Sequence, residues 1–444
     1  MNISMDLNAS PLPEEDEENY GQQHVDDGRQ VEAHMETSVQ TLRREREERI
    51  RKLRSNHDEG PKRVVQRTDS SYSPSFRSHE IQKTLPDGWL DCPPCGQNID
   101  YLIPCKVPLD DSYNNSIPPG RRYSSRQVIL QTKRQNKEIG LVIDLTNTNK
   151  YYSPLDFTRQ GIKYCKISCK GRDSVPDNKS VNSFFSEVYY FLNRSRSHKR
   201  YILVHCTHGH NRTGYMIINY LMRIHGCNLT EAIHTFSTAR PPGIYKSSYI
   251  DALYKFYHER KPESFVHPHT PDWKRSSDLD LNGEAAPDDE SSLVLPVDDD
   301  VENKTMTNDD VLGDEIPYCQ QHDLQLCCLN AFKLQGRHFP GSHPVSLDRD
   351  NLQLLRQRYY YATWKADGTR YMMLIATHGC YLIDRNFCFR RVQLHFPLKI
   401  PNEGSSHNFT LIDGEMVIDK LSTKFERRYL AYDLMMLNGV SIVE

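Results

Sequence analysis

Apolar positions divide the 444-residue chain into packable and unpackable territory. Residues 1–80 are polar and poor in large apolar side chains, which predicts a disordered, charged extension. Within it, Arg/Glu pairs at i,i+4 spacing over Ser38–Arg54 favour a solvated helix over a basic import signal running to Lys62-Arg63. Packable sequence starts at Leu85, with Trp89, Leu90, Tyr101, Leu102 and Ile103. Leu141–Leu145 reads as a buried strand and Ile162–Ser168 as a second. Phe184, Phe185, Val188, Phe191 and Leu192 recur at helical spacing. Tyr201–Val204 forms another short strand, and Tyr215–Leu221 an apolar helix beyond a polar loop. Asn228 with Glu231 three residues on resembles a capping box, Pro241-Pro-Gly243 closes the helix it opens, and Ser247–Tyr257 predicts one more. Strands alternating with helices predict an α/β domain over 85–260 with a central, largely parallel sheet.

Residues 261–310 hold Pro, Ser and acids, the composition of a linker. Packable sequence resumes at Val311. Tyr359–Trp364, Arg370–Ala376, Cys380–Asp384 and Leu411–Ile418 read as strands, so 311–444 should be a second, strand-rich α+β domain.

The hydrophobic share of 37% fits a partly disordered chain, and no apolar run approaches the length of a membrane span. The acidic Glu14–Glu18 run leaves no room for a secretory signal there. Twelve scattered cysteines suit a reducing compartment, cytosol or nucleus. Cys92-Pro-Pro-Cys95 has the spacing of half a zinc site or a redox pair, but no second pair stands at partner spacing. The net charge of −3 conceals a division: Lys83–Arg260 carries 25 basic against 14 acidic residues, and Ser276–Asp310 carries 12 acids against Lys304 alone. A basic domain followed by an acidic tether suits a polyanionic substrate, although a solvated surface explains the charge equally well.

The polar loop carries the first candidate chemistry, with Cys206 and Arg212 six residues apart between strand and helix. A loop at a helix N-terminus aims several backbone N–H groups at one point, where the helix dipole favours negative charge. Thr207, His208, Gly209, His210 and Asn211 would form this nest, which binds phosphate and favours the attacking thiolate of Cys206. Arg212 would clamp two phosphate oxygens, while His205 and Thr213 assist the thiolate. A buried structural cysteine is the bland alternative. His205-Cys206-x5-Arg212-Thr213 resembles the signature of the cysteine-dependent phosphatase superfamily, which implies an α/β fold and a phosphocysteine intermediate.

A second centre pairs Lys365-Ala-Asp-Gly-Thr-Arg370 with Asp413-Gly-Glu415, some forty-five residues later. A lysine nucleophile must be neutral, which burial or cationic neighbours favour. Gly368 would admit a close backbone approach, Arg370 a nucleotide, and Glu415 a metal or ribose. A surface lysine in a turn is the alternative for the first motif alone. Together with Ile383-Asp-Arg385 and Tyr429-Leu-Ala-Tyr-Asp433, these motifs resemble those opening the covalent lysyl nucleotidyltransferases, the RNA-capping guanylyltransferases and polynucleotide ligases.

A cysteine phosphatase upstream of such a transferase is the arrangement of the bifunctional mRNA-capping family, which Ala239-Arg-Pro-Pro-Gly-Ile-Tyr-Lys246 and Leu141–Asn147 also resemble. The resemblance implies that Cys206 removes the γ-phosphate of nascent triphosphate-ended RNA without a cofactor. It implies that Lys365 then takes GMP from GTP with Mg²⁺ or Mn²⁺. Arg370 and Arg385 would hold ribose or phosphate, Glu415 ribose or metal, and Tyr432 guanine. It further implies the nucleus as location and the RNA polymerase II tail as partner, with no membrane. Asp144 either has an auxiliary role or simply ends a strand. Three further family motifs and an OB-fold lid are expected after Asn438-Gly439 and do not appear before Glu444, so guanylyl transfer is expected to be weak or absent. The rivals are a protein tyrosine or dual-specificity phosphatase and a non-catalytic RNA- or polymerase-binding scaffold.

Overall fold

A computed structural model describes residues 84–444 except 172–173, 195–199, 275–305, 335–337, 395, 397–406, 422–423 and 443–444. The expected N-terminal extension with its charged helix, and most of the acidic linker, lie outside the described residues.

The first domain is built on a four-stranded sheet. Its strands are β1 (Leu102–Cys105), β2 (Ile139–Asp144), β3 (Lys163–Lys166) and β4 (Tyr201–His205), in the order β1-β4-β2-β3 with every pairing parallel. Alternation along β4 explains why both faces are covered. Ile202 and Val204 enter a core shared with Phe184, Val188, Met216, Ile217 and Phe236, while Leu203 enters one shared with Trp89, Val128, Tyr152 and Phe157. Each such buried aliphatic side chain contributes about 1.5–3 kcal/mol.

The helices of ten or more residues in this domain are α1 (Ser125–Arg134), α2 (Asn178–Arg194), α3 (Asn211–His225), α4 (Leu229–Ala239) and α5 (Ser247–Tyr257). Ser124 and Gln127 form a reciprocal capping box on α1. On α4 only half of the expected box is present, the Asn228 side chain accepting from the Glu231 N–H at 2.8 Å. Gly226, in the left-handed conformation, ends α3.

The second domain is a seven-stranded antiparallel sheet. It comprises β5 (Asp314–Glu315), β6 (Thr369–Ala376), β7 (Gly379–Ile383), β8 (Phe389–Val392), β9 (Thr410–Lys420), β10 (Phe425–Leu437) and β11 (Val440–Ser441), with α6 (Tyr318–Phe332) against it. Met372 and Leu374 pack with Cys328 and Leu329 of α6, while Tyr371, Met373 and Ile375 fill the other face, the period-two pattern of a doubly covered strand. The expected strand over Tyr359–Trp364 does not form. Tyr359, Tyr361 and Trp364 are 87%, 90% and 68% exposed. They pair with no strand among the described residues, and aromatic content without a ladder partner does not make one.

Candidate active site

Strand β4 ends at His205, and α3 begins at Asn211, so Cys206–His210 turns between them at the carboxyl end of the parallel sheet. The loop is brought tight against β1. Gly209 has φ +72°, and a Cβ there would lie 2.2 Å from the Cys105 carbonyl oxygen, so only glycine fits. Val107 N–H donates to the Thr207 carbonyl at 3.1 Å and fixes the other side.

This turn brings the predicted residues together. The Gly209 N–H donates to Cys206 Sγ at 3.3 Å, the amide contact expected of a thiolate cradle. Arg212 is buried in the first turn of α3. Its Nη2 donates to Thr207 Oγ1 at 3.0 Å and its Nη1 to the Cys169 carbonyl at 3.2 Å, which hold the fork beside the loop. Thr213 is fully buried, and its hydroxyl has no hydrogen-bond partner among the described residues. Asn211 Oδ1 accepts from the Tyr245 and Lys246 amides at 3.0 and 3.2 Å, tying the loop to the segment after α4.

The histidines serve the loop from behind. His205 is wholly buried, and its Nε2 meets the Tyr152 hydroxyl at 2.7 Å. Burial lowers its pKa against the opposing pull of Asp144. His210 meets the His208 carbonyl at 2.9 Å and the Pro241 carbonyl at 3.2 Å. Burial and then Arg240 hold its pKa well below the ordinary histidine value. His208 Nε2 meets the Asp87 carbonyl at 2.8 Å.

Asp144, the candidate for an auxiliary role, has both carboxylate oxygens held by donors. Thr146 N–H and Oγ1 donate to Oδ1 at 2.8 and 2.7 Å; Tyr164 OH and Lys166 Nζ donate to Oδ2 at 2.9 and 3.0 Å. Burial opposes its charge, yet His205, Lys166 and Thr146 outweigh that and hold the pKa below the ordinary carboxyl value. It ends its strand with each carboxylate oxygen accepting two hydrogen bonds.

Two contributors were given no role of their own by the sequence. Trp273, in a single helical turn at Asp272–Lys274, lays its ring on His208 with centroids 5.4 Å apart and 28° between planes. It also lies 5.4 Å from His210 and 6.3 Å from Tyr245. Linker-like composition around it hid this packing. Asp413 is the second. Its carboxylate takes Arg370 Nε at 3.0 Å and Nη2, and it also accepts from Tyr432 OH at 3.1 Å.

In the second domain, register places the two motifs side by side, with Arg370 opposite Glu415. Gly368 N–H donates to Glu415 Oε1 at 3.0 Å. Arg370 Nη1 donates to the Ser342 carbonyl at 2.6 Å, so with Asp413 its whole fork is engaged. The Lys365 side chain is 88% exposed and its Nζ pairs with Asp367 at 3.2 Å. The burial that would favour a lysine nucleophile is not present at this amine. Arg385 is exposed in the turn between β7 and β8, and Tyr432 is 54% exposed on β10. Glu415 offers hard oxygen donors of the kind Mg²⁺ takes when phosphates complete its shell, so the donor set fits that ion.

Two family models match the chain: "Dual specificity phosphatase, catalytic domain" over 123–259 and "mRNA capping enzyme, catalytic domain" over 306–444. A Caenorhabditis elegans protein named mRNA-capping enzyme is 34% identical over 391 residues, 81% of this chain and 61% of that protein. A mouse protein of the same name is 33% identical over 377 residues, 80% of this chain and 61% of that protein. A mouse RNA/RNP complex-1-interacting phosphatase is 36% identical over 196 residues, 44% of this chain and 60% of that protein. The chain spans about three-fifths of the length of the curated capping enzymes it matches.

Proposed function

We propose that this chain, a homologue of the bifunctional mRNA-capping enzymes, removes the γ-phosphate of triphosphate-ended RNA through Cys206 and prepares that end for capping. The observation that carries the reading is the Cys206 loop, with the Gly209 amide on the sulfur and Arg212 buried beside it. Cys206 Sγ attacks the γ-phosphorus, an S–P bond forms, and the bond to the β-phosphate oxygen breaks. Loop amides and Arg212 hold the phosphoryl oxygens. Water then attacks the phosphocysteine, releasing inorganic phosphate and regenerating the thiolate.

The substrate class follows from the leaving group. A diphosphate departs without a proton, whereas a phenolate or alkoxide benefits from a general acid. Both oxygens of Asp144 already accept hydrogen bonds, and His205 is fully buried against Tyr152, so neither is placed as a strong acid at the loop. This favours a phosphoanhydride. The match to the dual specificity phosphatase model favours a second reading, a protein phosphatase. Phosphate release from triphosphate-ended RNA and from a phosphotyrosine peptide, each with Cys206→Ser as control, separates the two. Faster Cys206-dependent turnover of the peptide would favour the second.

Set against the expectation of weak or absent guanylyl transfer, the match of 306–444 to the capping-enzyme catalytic model supports a second proposal, that this domain takes GMP from GTP onto Lys365. Tyr432, Arg385 and Glu415 would line the nucleotide site, with Arg370 positioned through Asp413. Mg²⁺ or Mn²⁺ bound at Glu415 and the phosphates would neutralise triphosphate charge. Incubation with α-labelled GTP tests this, the label being expected to vanish in Lys365→Ala. The RNA polymerase II tail as partner and the nucleus as site of action complete the proposal.

A further inference from the structure

The Cys92-x-x-Cys95 spacing has the form of a redox pair, but the structure separates the two thiols. Cys92 is 1% exposed, and its Sγ donates to the His208 carbonyl at 3.5 Å while Arg240 Nη2 donates to it at 3.6 Å. Burial pushes its pKa up to about 11. Cys95 turns instead to the strand carrying the loop's floor and forms an isolated antiparallel bridge with Cys105, the last residue of β1.

The backbone bonds of this bridge flank the pair: Gly96 N–H donates to the Pro104 carbonyl at 2.8 Å and Lys106 N–H to the Pro94 carbonyl at 2.9 Å. Cys95 and Cys105 thus occupy a non-hydrogen-bonded position, where Cα atoms stand about 4.5 Å apart and the two side chains share a face. A disulfide needs Cα atoms about 4.4–6.8 Å apart, so the backbone already has the required spacing. The Tyr123 hydroxyl meets Cys95 Sγ at 3.0 Å. A hydrogen bond from Cys105, together with Tyr123, favours the Cys95 thiolate despite its burial, whereas burial keeps Cys105 a thiol. Both sulfurs are free, and Cys95 is partly exposed.

We propose that Cys95 and Cys105 are a reversible oxidation site that closes to a disulfide with a hydroperoxide, independently of Cys206. The Cys95 thiolate attacks a peroxide oxygen, the O–O bond breaks, and hydroxide or alkoxide leaves, giving a sulfenic acid. Cys105 attacks that sulfur, the S–S bond forms, and water departs with the Cys105 proton. The two sulfurs lose two electrons in all, which the hydroperoxide gains. Because the Cys105 carbonyl abuts Gly209, the link lies against the floor of the phosphate loop.

The test exposes the full chain to hydrogen peroxide, removes the peroxide, blocks residual thiols with maleimide under denaturing conditions and maps an unreduced digest by mass spectrometry. A peptide joining Cys95 to Cys105 is expected in the unaltered chain and in Cys206→Ser, with both thiols recovered after dithiothreitol. In Cys95→Ser, Cys105 should remain fully labelled. A Cys92–Cys95 or Cys95–Cys206 link would overturn the proposal. So would Cys95 driven to sulfinic acid with Cys105 still labelled, or both thiols still labelled after Cys206 is fully oxidised.

Discussion

Gly209→Ala puts the architecture of the loop under the most direct strain. Alanine at φ +72° costs about 1–2 kcal/mol from its own backbone conformation. Its Cβ would also lie 2.2 Å from the Cys105 carbonyl oxygen, 2.5 Å from the carbonyl carbon and 3.1 Å from the Lys106 nitrogen. All three are backbone atoms, so no rotamer change relieves them. Restoring ordinary contact moves the turn by roughly 1 Å, enough to spoil the 3.3 Å amide contact to Cys206. A misplacement of about 1 Å at a reacting centre costs on the order of 10²-fold in rate. The expected outcome is a folded protein with a lowered melting temperature and phosphate release from triphosphate-ended RNA slowed about 10²-fold. Melting curves and steady-state phosphate release measure the two effects. A folded variant within a few-fold of the parent rate would refute the claim that Gly209 sets the sulfur's cradle.

Asp144→Asn separates a structural carboxylate from a proton donor. The native pKa is depressed, so its stabilisation is fully present above the ordinary carboxyl value of about 4 and is lost as pH falls through the native value. The variant should lose that acid-side dependence in unfolding curves, be about 2 kcal/mol less stable at neutral pH, and keep the alkaline limb of the parent pH–rate profile. Loss of that limb would make Asp144 the acid. Trp273→Ala removes the ring stacked on His208 and is expected to cost about 2 kcal/mol and to slow phosphate release. An unchanged melting temperature would contradict its role as a brace.

What could be foreseen from sequence follows a physical divide. Tyr201–Val204 is short, apolar and followed by a helix whose apolar residues repeat locally, so strand, loop and helix were legible; Ser247–Tyr257 was legible for the same reason. Local pattern also placed Lys365 and Glu415 in separate motifs. Only strand register brings Arg370 opposite Glu415, and only side-chain geometry gives Arg370 to Asp413. Tyr359–Trp364 failed because strand propensity requires a ladder that no neighbour supplies among the described residues. Trp273 escaped because a lone aromatic among polar residues has no period, and its partner His208 lies 65 positions upstream. Cys95 was read with Cys92 because they are close in sequence, whereas β1 provides its spatial partner.

The central claim is covalent phosphoryl transfer to one sulfur. Rapid acid quench of the protein with RNA labelled at its γ-phosphate should trap label on Cys206 as a thiophosphate ester during turnover, and Cys206→Ser should trap none and release no phosphate. Label on another residue, or γ-phosphate release persisting in Cys206→Ser, would contradict the account.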